Sequence, residues 1–562
     1  MTMSEAWARP TDATPDSEAA YRRRFIDTKQ QLTATHLHAA ACQRRILGEL
    51  LADNADTAFG REHGFGSIRT IDDYRSAVPV RTQPDYASWL DRSAAGERRV
   101  LTPEEPRILC TTSGSTGDRK RIPVTETFLR RGYLPSLQAA MGVPALYHPE
   151  AFARGAASLN LHHDRLAYPA SSPSGRPSLA PGQADLLGGF GVRLEEPGSR
   201  APWAELPVPL ADDAHLDQLY VRVRMAAEHD VRSVIGRNPT MLAMLPELLA
   251  QWWPALLRDI RDGTYLTRRG GIPNPARAAE LERRVAALPH GRPTPAAIWP
   301  HMRLLYCWTG GAAALYLPRL TQAYGSNVAV LPAPTAASEG PVGVPFDAHP
   351  TAGPLAVSCA LYEFVDADMD VAPDSPTLLY DELEAGHDYH VVLSHHGGLY
   401  RYALGDIVHV VDQVHDVPRV EYAGRDTLRD IAGERLRELH IVRALREATR
   451  SARVDIVNVT CRIEQRDSLQ PHYTLAVATR EPLPLTMLLR FQDLVDKELG
   501  RVSRTYRHAR SMGALGPARV VVVSAATFTE HWHRRLASGM RPPEIKDQVF
   551  QHDDAAWARI TS

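Results

Sequence analysis

Between residues 303 and 424 the apolar residues fall in runs of strand length, at 304–308, 328–331, 389–393 and 407–411. Helical patterns lie elsewhere in the chain. Residues 17–60 read helical, with Ile46, Leu47, Leu50 and Leu51 on one face until Asn54 and Gly60 interrupt them. Residues 240–262 repeat the pattern with Met241, Leu245, Leu248, Leu249 and Trp252 at helical spacing. Strands interspersed with helices predict an α/β architecture.

The chain has 562 residues, and single hydrophobic cores stop growing near ~250–300 residues, so two or three domains are expected. Around 425–430 the sequence turns polar and charged, with Arg425, Asp426, Arg429 and Asp430. Beyond this point come an alternating strand at 454–463, a second at 472–477, a helix near 484–500 and a last strand at 519–523. That is the content of a small α+β domain. The expected division is a large amino-terminal domain over 1–425 and a small carboxyl-terminal domain over 426–562. Within the larger part, 98–110 reads as short extended runs entering a loop at Thr111, and 150–215 as loops and short strands rich in Pro, Gly and Ser.

Apolar residues at 44% and charged residues at 23% exclude a largely disordered chain. A net charge of −2 argues against a nucleic-acid partner gripped by a broad basic face. No stretch approaches the roughly 20 apolar residues of a spanning helix, and Met1 to Pro10 has no apolar core, so neither a membrane span nor a secretory signal is expected. Cys42, Cys110, Cys307, Cys359 and Cys461 are scattered and form no Cys-x-x-Cys pair, which predicts buried thiols in a reducing cytoplasm. Of 64 basic residues only Lys29, Lys120, Lys497 and Lys546 are lysines. Arginine serves generic surface roles here, so each retained lysine hints at a use for a compact ammonium.

Lys120 closes the segment Thr111-Thr112-Ser113-Gly114-Ser115-Thr116-Gly117-Asp118-Arg119-Lys120. Glycines let backbone N–H groups approach an anion, hydroxyls donate to phosphate oxygens, and the lysine adds a point charge. A solvated Ser/Gly turn has the same composition, and the spacing is not that of a Walker A loop. The string from Thr112 to Gly117, with Lys120, resembles the phosphate loop of the adenylate-forming superfamily. Continued through Ile122-Pro123-Val124-Thr125, it resembles one branch of it, the Gretchen Hagen auxin-responsive family of acyl-acid amido synthetases, and especially its bacterial members. The flanks agree, in order: 54–60 with His63-Gly64-Phe65, then Val78-Pro79-Val80, Gly96-Glu97 and Asn238-Pro239-Thr240.

The resemblance implies roles for further residues. Glu339, in Ala336-Ala337-Ser338-Glu339-Gly340, takes the family's Mg²⁺-binding glutamate position with Ser338 beside it, and one carboxylate suffices for an ion that keeps most of its waters. Thr335 stands where the family carries an aromatic residue packing on adenine. Asp406, in Tyr400-Arg401-Tyr402-Ala403-Leu404-Gly405-Asp406, takes the ribose-binding position; an ionised Asp accepts both hydroxyls of a cis-diol, and Gly405 leaves room for the sugar. Arg425 would lie near ribose and phosphate at the domain junction, and Gly310-Gly311-Ala312 beside the acyl and nucleotide pocket. Lys546, in Pro542-Pro543-Glu544-Ile545-Lys546, would be the lysine that swings against the α-phosphate.

Other constellations are absent. There is no His-Glu-x-x-His zinc motif among 23 histidines, no Gly-x-Ser-x-Gly elbow, and no third glycine after Gly189-Phe190-Gly191 for a dinucleotide fingerprint. The expectation is therefore an ATP- and Mg²⁺-dependent enzyme that is cytoplasmic and monomeric. Its catalytic residues would be Lys546 and Glu339. Its nucleotide contacts would be Thr112, Ser113, Gly114, Ser115, Thr116, Gly117, Lys120, Gly311, Thr335, Ala336, Ala337, Ser338, Asp406 and Arg425. It would adenylate a small carboxylic acid and pass the acyl group to an amine. A thioester ligase and a non-catalytic nucleotide-binding homologue are the alternatives. Residues 125–235 match the family least, so no plant-hormone substrate is expected; an aromatic or alicyclic acid in a bacterial biosynthetic role is.

Overall fold

The computed structural model describes residues 17–113, 119–161, 178–179, 190–192, 194–211, 213–425, 430–466 and 469–562. They form two compact units. The first comprises Met1–Gly155, Asp164–Ser199 and Pro332–Tyr422; the second comprises Ala156–His163, Arg200–Leu331 and Ala423–Ser562. Strands are interspersed with helices as the apolar pattern predicts, although consecutive helices open the described chain and Ala329–Arg425 carries strands with no α-helix between them.

In the first unit a five-stranded sheet runs in the order Gly353–Pro354, Val417–Arg425, Leu399–Val414, Asp388–His395, Leu361–Asp366. The predicted strands at 389–393 and 407–411 are central to it. The stretch read as one helical segment is two helices, Glu18–His36 and Ala39–Asn54, broken at Leu37–His38, with the short helix Ala58–Glu62 after them. Ile46, Leu47, Leu50 and Leu51 are buried and share a core with Tyr362, Phe364, Val391, Tyr400 and Tyr402 of the sheet. Gln43 fixes the helix at the sheet, donating to Val357 O (2.6 Å) and Ala360 O (2.7 Å) and accepting from Tyr362 N–H (3.0 Å).

The extended chain does not enter a loop at Thr111. A strand runs Ile108–Ser113 and pairs antiparallel with Arg119–Val124, setting Thr111 opposite Arg121 and Ser113 opposite Arg119. Hydroxyl and glycine residues read locally as loop; pairing with a partner several residues downstream overrides that preference.

The second unit has a sheet of Ser158–Asn160, Ser233–Ile235, Leu304–Cys307 and Ala329–Pro332 in that order, the first three parallel. Leu304–Cys307 is buried at every position, as expected for a parallel strand covered on both faces. The helix predicted at 240–262 spans Pro239–Asp262. Asn238 caps it by accepting from Thr240 N–H, Pro239 fills the first turn, and Gly263 ends it in the left-handed region at φ +67°. The same unit contains the three-stranded sheet Ile456–Arg466, Leu469–Thr479 and Arg519–Val523 with the helix Leu485–Val502. Three further helices, Glu438–Ala452, Arg504–Ser511 and Ala525–Ala537, occupy segments where the sequence reading placed none.

All five cysteines are buried and free, as predicted. Among the described residues no helix is long and apolar enough to cross a membrane. The polar segment at the expected domain division falls largely on 426–429, outside the described residues.

Candidate active site

The candidate residues divide between the two units. In the first, Thr335–Ala337 and Gly340–Gly343 form an antiparallel hairpin, with Ala337 opposite Gly340 and Ser338-Glu339 as its turn. Carboxylates in hairpin turns are ordinarily solvated, yet Glu339 is only 5% exposed. It accepts a hydrogen bond from the buried Tyr402 hydroxyl at 3.3 Å. Burial first, then the Glu339 charge and, further off, the Asp406 charge, push the Tyr402 phenol far above its ordinary range. Tyr402 is therefore a fixed donor standing among the carboxylates of Glu339 and Asp406.

Asp406 reaches this place through a bulge. Pairing of the Leu399–Val414 strand with Asp388–His395 slips between Ala403, opposite Val392, and Ile407, opposite His390, so that Leu404-Gly405-Asp406 span the length of the single residue Val391. A bulge re-aims the side chains of its strand. Gly405 takes φ +79°, and a side chain there would meet no atom within 4 Å, so the glycine provides the turn and leaves open space beside Asp406.

Two more groups back the Glu339 turn. The buried His395 ring stacks on Phe128 at 4.2 Å and lies against the Glu339 backbone. Its Nδ1 accepts from Gly397 N–H at 2.9 Å, and burial lowers its pKa to about 3, so the ring is neutral. The Cys110 thiol, pushed up to about 11 by burial against the opposing effect of a hydrogen bond with Ser338, brings the Ile108–Ser113 strand beside the turn. The backbone of Thr112 pairs with that of Lys120; Gly114, Ser115, Thr116 and Gly117 lie outside the described residues. Thr335 begins the hairpin opposite Gly343 and is half-buried, Ala336 is exposed, and Ala337 packs on the core.

In the second unit the parallel strands Ser233–Ile235 and Leu304–Cys307 end at Gly236-Arg237-Asn238 and Trp308-Thr309-Gly310, the edge of an open α/β sheet where ligands bind. Gly311, at φ +57°, opens the 3₁₀ helix Gly311–Tyr316. The segment carrying Lys546 lies on this same edge. Asn238 donates from Nδ2 to Pro543 O (3.2 Å) and Ile545 O (2.6 Å), and the Lys546 ammonium stands 4.4 Å from the centre of the Trp308 ring. Lys546 and the Gly310-Gly311 turn are thus brought together. Arg425 is exposed at the end of the Val417–Arg425 strand.

Sequence reasoning left Tyr402, His395, Asn238 and Trp308 without roles. Tyr402 and Asn238 stood inside motifs already picked out. Trp308 ends an apolar run, and only the fold puts an ammonium over its face.

Buried oxygen donors suit a hard cation. Among the described residues no group of three or more His, Cys, Asp or Glu side chains could hold a metal. One buried carboxylate does fit Mg²⁺, which draws its remaining ligands from water and phosphate.

Three family models match in chain order: the GH3 family N-terminal domain over residues 28–330, the central domain over 353–425 and the C-terminal domain over 439–554. Among curated proteins, a probable indole-3-acetic acid-amido synthetase of Oryza sativa subsp. japonica is 25% identical, over 94% of this chain and 88% of its own length. A jasmonoyl–L-amino acid synthetase of the same plant is 23% identical, over 91% and 92%. The solved GH3.15 acyl acid amido synthetase superposes with a TM-score of 0.75 at 19% identity, covering 98% of this chain and 97% of that one; it shares the fold.

Proposed function

The chain belongs to the GH3 family, and on that premise we propose that it is an ATP-dependent acyl-acid amido synthetase. The observation that carries this reading is the ordered match to all three domains of a family whose curated relatives are named amido synthetases. In the first step a carboxylate oxygen of the acid attacks the α-phosphorus of ATP, the bond to the β,γ-diphosphate breaks, and acyl-AMP and pyrophosphate form. In the second an amine attacks the acyl carbon, AMP leaves with the electrons of the C–O bond, and the nitrogen gives up a proton.

Negative charge builds on the phosphate oxygens in the first step, and the Lys546 ammonium would stabilise it. Thr112, Ser113, Gly114, Ser115, Thr116, Gly117 and Lys120 would hold the polyphosphate, Asp406 the ribose hydroxyls, and Arg425 the ribose and phosphate. Ser338, Ala337, Ala336, Thr335 and Gly311 would line the nucleotide. Thr335 is smaller than the family's aromatic and would give adenine less stacking area. Glu339 would hold Mg²⁺, which when bound neutralises phosphate charge. The buried setting of Glu339, backed by neutral His395 and by Tyr402, supports a fixed carboxylate there. A division near residue 425, with rotation of the carboxyl-terminal part between the steps, and a cytoplasmic monomer remain part of this reading.

Carboxylate-dependent ATP–pyrophosphate exchange across a panel of aromatic and alicyclic acids tests it, with product masses read after adding amines or coenzyme A. Exchange followed by an amide is the expected result. A thioester product would replace the acceptor, and no exchange with no ATP binding would overturn the enzyme reading. Lys546→Ala should abolish exchange; normal adenylate formation in that variant removes the lysine from the mechanism.

A further inference from the structure

Lys546 is flanked on both sides by hydrogen bonds that its own side chain does not make. On the amino-terminal side Asn238 takes the carbonyls of Pro543 and Ile545. On the carboxyl-terminal side a single oxygen of Asp547, Oδ2, accepts from two donors: the Tyr316 hydroxyl and Asn458 Nδ2, the latter at 2.7 Å. Tyr316 is 5% exposed and ends the 3₁₀ helix that begins at Gly311. Asn458 is equally buried and sits in the Ile456–Arg466 strand. Tyr316 also bonds the Thr240 side chain, and Thr240 N–H donates to Asn238 Oδ1 at 3.0 Å. The bonds therefore run around the lysine from Asn238 through Thr240 and Tyr316 to Asp547 and Asn458.

A lysine side chain has four rotatable bonds and loses their rotamer freedom when fixed. A cation over an indole face recovers part of that loss, which orients the ammonium only if the backbone beneath it is held. We propose that Asp547 is a positioning residue for the adenylation half-reaction, its Oδ2 tying Tyr316 to Asn458 so that the Lys546 ammonium is held over Trp308 before ATP reacts. The inference rests on the role given to Lys546 above. Asp547 touches no reacting atom; it acts through the lysine. Burial and the Asp547 charge both push the Tyr316 phenol far up, so the tyrosine remains a donor at every working pH. The Tyr316 bond joins the Lys546 segment to the Gly311 turn, and the Asn458 bond joins it to the Ile456–Arg466 strand. Loss of Asp547 releases the segment from the Gly311 turn and removes the strand bond nearest the lysine; the next bond to that strand, from Thr460 Oγ1 to Gln548 O (2.9 Å), remains two residues beyond Lys546.

The test separates the half-reactions. With the acid that gives the strongest exchange, Asp547→Ala should lower ATP–pyrophosphate exchange by about tenfold to a hundredfold, the effect of a small misplacement of a reacting group. Aminolysis of that acid's acyl-adenylate, supplied preformed, should stay within about twofold of wild type, because no α-phosphate attack is involved. Asp547→Asn keeps an oxygen where Oδ2 stands and should recover most of the exchange. Equal loss in both half-reactions, unchanged exchange in Asp547→Ala, or an Asn variant as poor as Ala would each overturn the proposal.

A second measurement needs no activity. The four lysines, Lys29, Lys120, Lys497 and Lys546, can be read separately by mass after brief acetylation with an N-hydroxysuccinimide ester. Lys546 should label several-fold faster in Asp547→Ala, and in Tyr316→Phe should the Ala variant not fold, with Lys497 unchanged. Unaltered labelling of Lys546 would sink the latch. Absence of exchange in the wild-type protein would count against the function and leave this labelling result to decide the latch.

Discussion

At the scale of single residues, the central feature is a glutamate buried in a hairpin turn. Glu339 is 5% exposed, and a carboxylate in such a place depends on donors and cations for its charge. The Tyr402 hydroxyl is one donor. Tyr402→Phe should cost about 1–3 kcal/mol of stability, because a buried carboxylate loses one of its donors. In a double-mutant cycle with Glu339→Gln, urea unfolding should show a coupling of about 0.5–3 kcal/mol, as for residues in contact. Strict additivity would mean that the bond at 3.3 Å carries no weight.

At the scale of elements, the Leu399–Val414 strand has two slips against its neighbour, one beside Asp406 and one beside Arg401. Arg401 is in the left-handed region at φ +48°, a conformation that costs a non-glycine residue free energy and persists only when its surroundings fix it. Those surroundings are explicit. Arg401 is 3% exposed and donates to Glu363 Oε2 (3.1 Å), Val78 O (2.7 Å), Arg75 O (3.0 Å) and Thr377 Oγ1 (3.0 Å). Arg401→Ala should destabilise the protein by about 1–3 kcal/mol, since Glu363 loses one buried charged partner while Arg75 (3.3 Å) and Thr377 (2.6 Å) still donate to its other oxygen. Removing Glu363 as well, as Glu363→Leu, should recover part of that loss in chemical denaturation. A double variant worse than the single one would show that the pair is not the anchor of the strand. The sequence reading took Tyr-Arg-Tyr-x-x-Gly-Asp as one nucleotide motif. The structure divides it: Arg401 anchors the strand, Tyr402 faces Glu339, and Gly405-Asp406 form the bulge.

At the scale of the whole molecule, burial of titratable groups sets the response to acid. His36 is held at about 4 and His395 at about 3, burial being the first cause in each, against 6.5 when free. Below pH 6.5 the unfolded chain takes up protons that the folded one refuses, so this stability is complete above that pH and is lost as pH falls toward 4 and 3. Glu49, lowered to about 2 first by its hydrogen bond with His396, adds a loss of the same sign between 4.5 and 2. The free energy of urea unfolding should therefore decline from pH 7 to pH 5. In His36→Leu the slope should be shallower by up to one proton, about 1.4 kcal/mol per pH unit; an unchanged slope would mean that His36 does not titrate in this window. Much of the molecule was legible without coordinates. The helix at 240–262, the strand at 519–523, the burial of the cysteines and the order of the motifs follow from hydrophobic period and residue chemistry, which are local and survive in one dimension. The split of the first helical stretch, the pairing that carries Thr111–Ser113 into a strand, the bulge behind Asp406 and the bonds around Lys546 do not. Each depends on a pairing or a backbone conformation set by residues elsewhere in the chain, from several to hundreds of positions away, and sequence spacing carries no measure of which residues meet. The sequence determined which chemical groups the chain possesses and roughly which elements bear them. Only the tertiary structure decided that a turn glutamate is buried, that an arginine within the motif is bonded on all sides, and that an aspartate beside a lysine accepts from Tyr316 and Asn458.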